Sequence, residues 1–216
     1  MQVSSAILLI FACMQIALES FTIGDKAISI FVPDSVAIQK KFHHQHAPYW
    51  TQVWHAAVGL CIFLQQHPDY IKNKTVLELG AGLGLPGIVA ATIAKHVSIT
   101  DKSEAAVTIV QQSVLLQQLK NVSCKVVDWN DSKGRLIPEV VLLSDINYEP
   151  DAFAALLSMI NHFLENNCTI ILSTPQRLMA KAFIEQVLVN CANQATISVL
   201  LREKQEDISV FVLVKK

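Results

Sequence analysis

A chain of 216 residues, 52% of them hydrophobic and 16% charged, is long enough to bury one domain core with a small extension beside it. Its 17 Lys+Arg against 18 Asp+Glu leave it nearly neutral, and no basic stripe marks it out, so no nucleic-acid partner is expected. Five cysteines, Cys13, Cys61, Cys124, Cys168 and Cys191, form no C-x-x-C pair and read as free core thiols of a reducing compartment, which makes a cytoplasmic location the expectation.

In chain order, residues 1–46 read as an extension. Ala6 to Met14 is an unbroken apolar run, too short to span a bilayer, with no Lys or Arg before it and no convincing small-residue cleavage site behind it. A folded apolar segment or the amphipathic start of a helix is expected there in preference to an export signal. From Ile16 to Val32 the pattern alternates about Gly24-Asp25-Lys26, with Phe21, Ile23, Ile28, Ile30 and Val32 on one face, which predicts a β-hairpin. Pro33 ends it, and Asp34 to His46 is expected to be a polar connection. His43, His44 and His46 have no Cys, Asp or Glu at ligand spacing, and the first two are adjacent, so no metal site is expected.

Residues 47–216 read as the main domain. Pro48-Tyr49-Trp50-Thr51-Gln52-Val53-Trp54 leads into a predicted helix over Ala56 to Leu64, and Trp54 suits either core or the wall of a ligand site. Thr75 to Gly87, TVLELGAGLGLPG, then holds four of the chain's seven glycines. It reads as a strand, a tight turn and a helix start. Glycines at Gly80, Gly82 and Gly84 permit positive φ and close approach of a ligand to the main chain. The spacing is not that of a dinucleotide site, because Leu85 stands where G-x-G-x-x-G requires its third glycine. Glu78, just before the glycines, suits a cationic group better than a pyrophosphate. The ligand expected is nucleoside-like, with an amine and no phosphate, and S-adenosylmethionine fits.

After a helix from Gly87 to Lys95, a strand over Val97 to Thr100 ends in Asp101, roughly 20 residues beyond the glycines, where α/β nucleotide sites place an acid on the ribose. The other role open to Asp101 is N-cap of the helix predicted from Glu104 to Leu119. Ser123 to Val127 is a strand closed by Asp128-Trp129, an acid and an aromatic suited to the exocyclic amine and ring of adenine. Val140 to Leu143 is a buried strand that runs into Ser144-Asp145-Ile146-Asn147-Tyr148. A helix (Phe153 to Leu164), a strand (Thr169 to Ser173) and another helix (Leu178 to Asn190) follow. Ala195 to Leu201 and Ile208 to Val214 are joined by a short polar link and predict an antiparallel pair. The fold class is α/β: a Rossmann-like seven-stranded sheet, parallel except for one reversed strand in a C-terminal hairpin, with an N-terminal β-hairpin extension.

The order of Trp54, the Glu78 to Gly84 loop, Asp101, Asp128-Trp129 and Asp145-Ile146-Asn147-Tyr148 resembles the seven-β-strand S-adenosylmethionine-dependent methyltransferases. Within them it is similar to the protein-lysine methyltransferase family 16, whose members carry D-x-x-Y after the fourth strand. The resemblance runs from about Phe21 to the C-terminus. It implies S-adenosyl-L-methionine as cofactor and a lysine of a protein substrate as acceptor. It implies Glu78 with the Gly80, Gly82 and Gly84 backbone at the methionine end, Asp101 on the ribose, Asp128 with Trp129 on the adenine, and Trp54 beside the cofactor. Asp145 would recruit and align the amine, with Tyr148 shaping an aromatic channel. No membrane partner is expected, and a monomer is. Other readings share the same loop: a small-molecule N- or O-methyltransferase, a histidine- or arginine-directed protein methyltransferase as a narrower variant, and a non-catalytic S-adenosylmethionine-binding module.

Overall fold

A computed structural model describes residues 15–41, 48–129 and 137–216. The Ala6 to Met14 run and His43, His44 and His46 lie outside the described residues. The N-terminal hairpin pairs β1 (Ile16–Ile23) with β2 (Lys26–Pro33), Ile23 facing Lys26 across the Gly24-Asp25 turn, where Gly24 takes a φ of +59°. Its Phe21, Ile23, Ile28, Ile30 and Val32 are buried, as the alternation predicts. They lie in one continuous core with the helices of the main sheet. The hairpin is also held by polar contacts. Ser113 Oγ accepts the Phe31 N–H at 3.0 Å, and the Gln117 amide donates to the Ser29 carbonyl at 2.6 Å.

The polar connection expected after Pro33 is in part a helix, α1 (Ser35–Lys41). Asp34 caps it, its Oδ1 accepting the N–H groups of Val36 and Ala37 at 2.9 and 3.1 Å, and Ile38 turns inward to full burial. The Asp34-Ser35 pair before Val36-Ala37-Ile38 was the available signal.

The main sheet has the order β5-β4-β3-β6-β7-β9-β8, built from β3 (Thr75–Leu79), β4 (His96–Asp101), β5 (Val122–Val126), β6 (Val140–Ser144), β7 (Thr169–Pro175), β8 (Cys191–Leu201) and β9 (Lys204–Leu213). Strands β3 to β7 pair parallel, and β9 inserts antiparallel between β7 and β8. The reversed strand is therefore where the short polar link predicts it. Val140, Val141, Leu142 and Leu143 are each wholly inaccessible, as a central parallel strand covered on both faces must be.

Helices α2 (His55–Gln66), α3 (Leu85–Ala91) and α4 (Glu104–Leu116) share one core with the hairpin, while α5 (Phe153–Glu165) and α6 (Lys181–Leu188) build the other. The chain winds outward from β3 through β4 to β5 on one side and from β6 to β7 on the other. The junction of β3 and β6 is thus the point where strand order reverses, and the carboxyl ends of these strands frame a crevice.

Candidate active site

Each parallel strand delivers one functional segment to that crevice. β3 delivers the glycine turn. Gly80, Gly82 and Gly84 have φ of +63°, +55° and +70°, conformations that side chains resist. The turn is closed by backbone bonds, Ala81 N–H to the Thr100 carbonyl at 3.0 Å and Gly84 N–H to the Ala81 carbonyl at 2.8 Å. A Cβ at Gly80 would stand 3.0 Å from the Trp129 ring, so the indole lies directly on the loop.

β4 delivers Asp101, which is almost fully buried. Its Oδ2 accepts the Gly82 N–H and its Oδ1 the Ser103 N–H, each at 2.8 Å. Burial pushes its carboxyl up, against the pull of these N–H groups. The N-cap role open to it in sequence belongs instead to Ser103, whose hydroxyl accepts the Ala106 N–H. Asp101 is left to tie the glycine turn and to face the cavity.

The segment after β5 brings Asp128 and Trp129, and the segment after β6 brings Asp145 and Tyr148. All four line one cavity of about 490 Å³ together with Gly80, Gly82, Gly84, Asp101, Trp54 and Tyr49. Every site residue singled out from sequence therefore converges on this cavity except one. Glu78 is absent from its wall.

Glu78 sits on β3 with the parity of Val76 and points toward the α2–α4 core, 1% exposed. One carboxyl oxygen accepts the Gly87 N–H at 2.9 Å, and the other has no partner among the described residues. Burial raises its pKa to about 8, more than the Gly87 bond lowers it, with Asp101 adding repulsion. Glu78 fixes the start of α3 behind the glycine turn, and its carboxyl lies behind the cavity wall. Gly87 is glycine because a Cβ there would collide with this carboxyl and stand 2.7 Å from Ile99.

An aromatic wall closes the other side. The Trp54 indole N–H donates to the Tyr49 carbonyl at 2.8 Å, and Tyr49 lies 6.2 Å from Trp54 and 4.5 Å from Tyr148 between ring centroids. Tyr148 is pushed up to about 12, first by burial and then by Glu149, Tyr49, Asp101 and Asp145, so it stays a neutral phenol. Tyr49 was not singled out in sequence as a site residue, although its place in the Pro48 to Trp54 segment was the clue.

Asp145 is the most constrained of these groups. It takes a φ of +52°, its N–H donates to the Ser173 carbonyl at 2.9 Å, and it is 8% exposed. Both carboxylate oxygens are held by one guanidinium, Arg177 Nη1 to Oδ1 at 2.5 Å and Nη2 to Oδ2 at 3.0 Å. Arg177 follows β7 and was not anticipated from sequence.

Comparison with known proteins decides the family. A family model described as lysine methyltransferase matches residues 35–190. This chain belongs to that family. It is 32% identical over 170 residues to the protein N-lysine methyltransferase METTL21A of Danio rerio, spanning 76% of each chain. It is 31% identical over 128 residues to the histone-arginine methyltransferase METTL23 of Mus musculus, spanning 56% of this chain and 51% of that one. Among solved structures, the 16S rRNA methyltransferase RsmC of T. thermophilus with AdoMet and guanosine superposes with a TM-score of 0.66 at 14% identity, over 93% of this chain and 51% of that chain. An O-methyltransferase of Thermotoga maritima gives 0.57 at 13% identity, over 92% and 78%. At these identities the structures speak for the fold alone.

The cofactor of such a methyltransferase, S-adenosylmethionine, fits the residues present. The left-handed glycine turn leaves main chain open to a ligand, the cavity is of ligand size, and its acids suit a nucleoside carrying positive charge. None of the four described cysteines lines the cavity. Cys61, Cys124 and Cys168 are all pushed up by burial, the last two to about 11, so they remain thiols.

Proposed function

We propose that this chain methylates the ε-amine of a lysine in a protein substrate, with Asp145 meeting the amine and Tyr49, Trp54 and Tyr148 forming the passage by which it enters. The observation that carries this reading is the meeting of an aromatic wall and a buried carboxylate beside the glycine turn in one cavity. Aromatic faces attract a cationic nitrogen as it enters, and a long aliphatic stem packs against them. Asp101, Asp128 and Trp129 are assigned to the nucleoside end of the cofactor, and the Gly80 to Gly84 backbone to its methionine end.

When bound, S-adenosylmethionine supplies a sulfonium-activated methyl group: the amine lone pair forms the N–C bond while the S–C electron pair stays on sulfur. The protein's share is placement and desolvation. The amine must first shed a proton, which at neutral pH leaves about one lysine in a thousand competent, a handicap of roughly 4 kcal/mol. Tyr148 stays a neutral phenol and does not serve as the base for that proton, which we assign to water before the methyl moves.

The test is methyl transfer from radiolabelled S-adenosylmethionine into a cell extract, separated by size, with the label identified after hydrolysis. Methyl-lysine in a discrete protein band that disappears with Asp145→Ala, while the variant still binds S-adenosylmethionine, is the expected result. Label only in small molecules would end the protein reading. Methyl-arginine would move the acceptor to a guanidine, the reading that the METTL23 similarity favours. Loss of cofactor binding in Asp145→Ala would make Asp145 a cofactor or folding residue.

A further inference from the structure

The carboxylate offered to the amine is not a bare charge. Asp145 lines the cavity together with negative and neutral groups: Glu149 and Tyr148 from its own segment, Asp101 from β4 and Tyr49 from the approach to α2. Asp128 stands on the same wall, with Lys102 as a cavity-lining cation. A lysine entering such a field alone would be held as ammonium, the form that cannot react, because an opposite charge at close range favours ionisation. Arg177 changes this. Its fork takes both oxygens of Asp145 from the β7 side, where the guanidinium is 29% exposed and stands outside the cavity wall.

Building on the lysine reading above, we propose that Arg177 is a positioning residue that cancels the charge of Asp145, so that the carboxylate accepts a hydrogen bond from a neutral amine without holding that amine as an ammonium ion. A carboxylate oxygen has more than one acceptor site, so a guanidinium bond and an amine bond coexist on the same atom. The planar fork also fixes the carboxylate plane, which a single ammonium would not do. Two features of the fold make the pairing rigid. The Asp145 main chain is pinned to Ser173 of β7, and the β6–β7 register sets Ser144 beside Ser173, four residues before Arg177.

The experiment compares the full chain with Arg177→Gln and Arg177→Lys, each first shown to bind S-adenosylmethionine as the wild type does. Label incorporation into lysine of the extract band is followed from pH 6.5 to 10, conditions chosen to cover a shift of about one pH unit. In Arg177→Gln the rate profile is expected to move up by about one unit, so that transfer at neutral pH falls about tenfold and returns in alkali. Arg177→Lys, which keeps the charge, should stay close to the wild-type profile. Separately, n-butylamine, a cation at pH 7, is titrated into the complex with S-adenosylhomocysteine, and Arg177→Gln is expected to bind it about tenfold more tightly.

A loss of rate in Arg177→Gln that is equal at every pH would reduce Arg177 to a structural part and overturn the proposal, as would equal butylamine affinity in the two proteins. Wild-type protein that labels no lysine would instead overturn the lysine reading on which the proposal rests. The two failures are therefore separable.

Discussion

Glu78→Gln is the substitution whose consequence can be worked furthest. In the folded chain the Glu78 carboxyl is buried, with one hydrogen bond to the Gly87 N–H, and its pKa is raised from 4.5 to about 8. In the unfolded chain it ionises near the ordinary value. Between those two values the folded state keeps a proton that the unfolded state has lost, so stability must fall as pH rises. Below 4.5 both states are protonated and Glu78 contributes no pH dependence. Each pH unit across the window removes about 1.4 kcal/mol from the wild type, and the whole window about 5 kcal/mol, an order-of-magnitude figure. Glutamine keeps an acceptor for Gly87 and cannot ionise. Urea unfolding of both proteins from pH 4.5 to 8.5 in the absence of cofactor measures the difference, in which every other titrating group cancels. The wild type should lose several kcal/mol relative to Glu78→Gln as pH rises. Parallel curves would refute the reasoning, because they would mean that the Glu78 carboxyl is solvated or charged in the fold.

Gly80→Ala places a Cβ at a φ of +63°, 3.0 Å from Trp129 and 3.3 Å from Ile146. Backbone strain should cost about 1–2 kcal/mol in thermal unfolding, and the displaced indole should weaken S-adenosylmethionine binding at least about tenfold by calorimetry. Asp34→Ala removes the cap of α1 and should destabilise the fold by about 1 kcal/mol in urea, with methyl transfer unchanged because α1 contributes nothing to the cavity wall.

The fold was legible because its signals are local and periodic. Alternation places Phe21, Ile23, Ile28, Ile30 and Val32 on one hairpin face, and the apolar run Val140 to Leu143 marks a strand covered on both sides. The cavity acids were legible for a related reason. In a parallel sheet each strand's carboxyl end reaches the same edge, so Asp101, Asp128 and Asp145 could be placed together from strand order alone. Other features were less legible. The parity Glu78 shares with Val76 turns it toward the helices and behind the cavity wall, a placement that residue type alone does not give. Arg177 was invisible because its partner is 32 residues away, and only the β6–β7 register brings the two together.

Charge explains why the site needs that second partner. Among the described residues, the cavity wall carries Asp101, Asp128, Asp145 and Glu149 against Lys102. Such a wall favours a sulfonium cofactor over its neutral thioether product, and it draws a lysine ammonium inward. The same field would keep the lysine protonated at the point of reaction. Attraction over the whole cavity and neutrality at one atom are opposing requirements, and no single carboxylate meets both. In this fold they are divided in space. The acids at the ends of β4, β5 and β6 set the field of the cavity, while Arg177, reaching Asp145 from outside the wall, lowers it at the one carboxylate assigned to the amine.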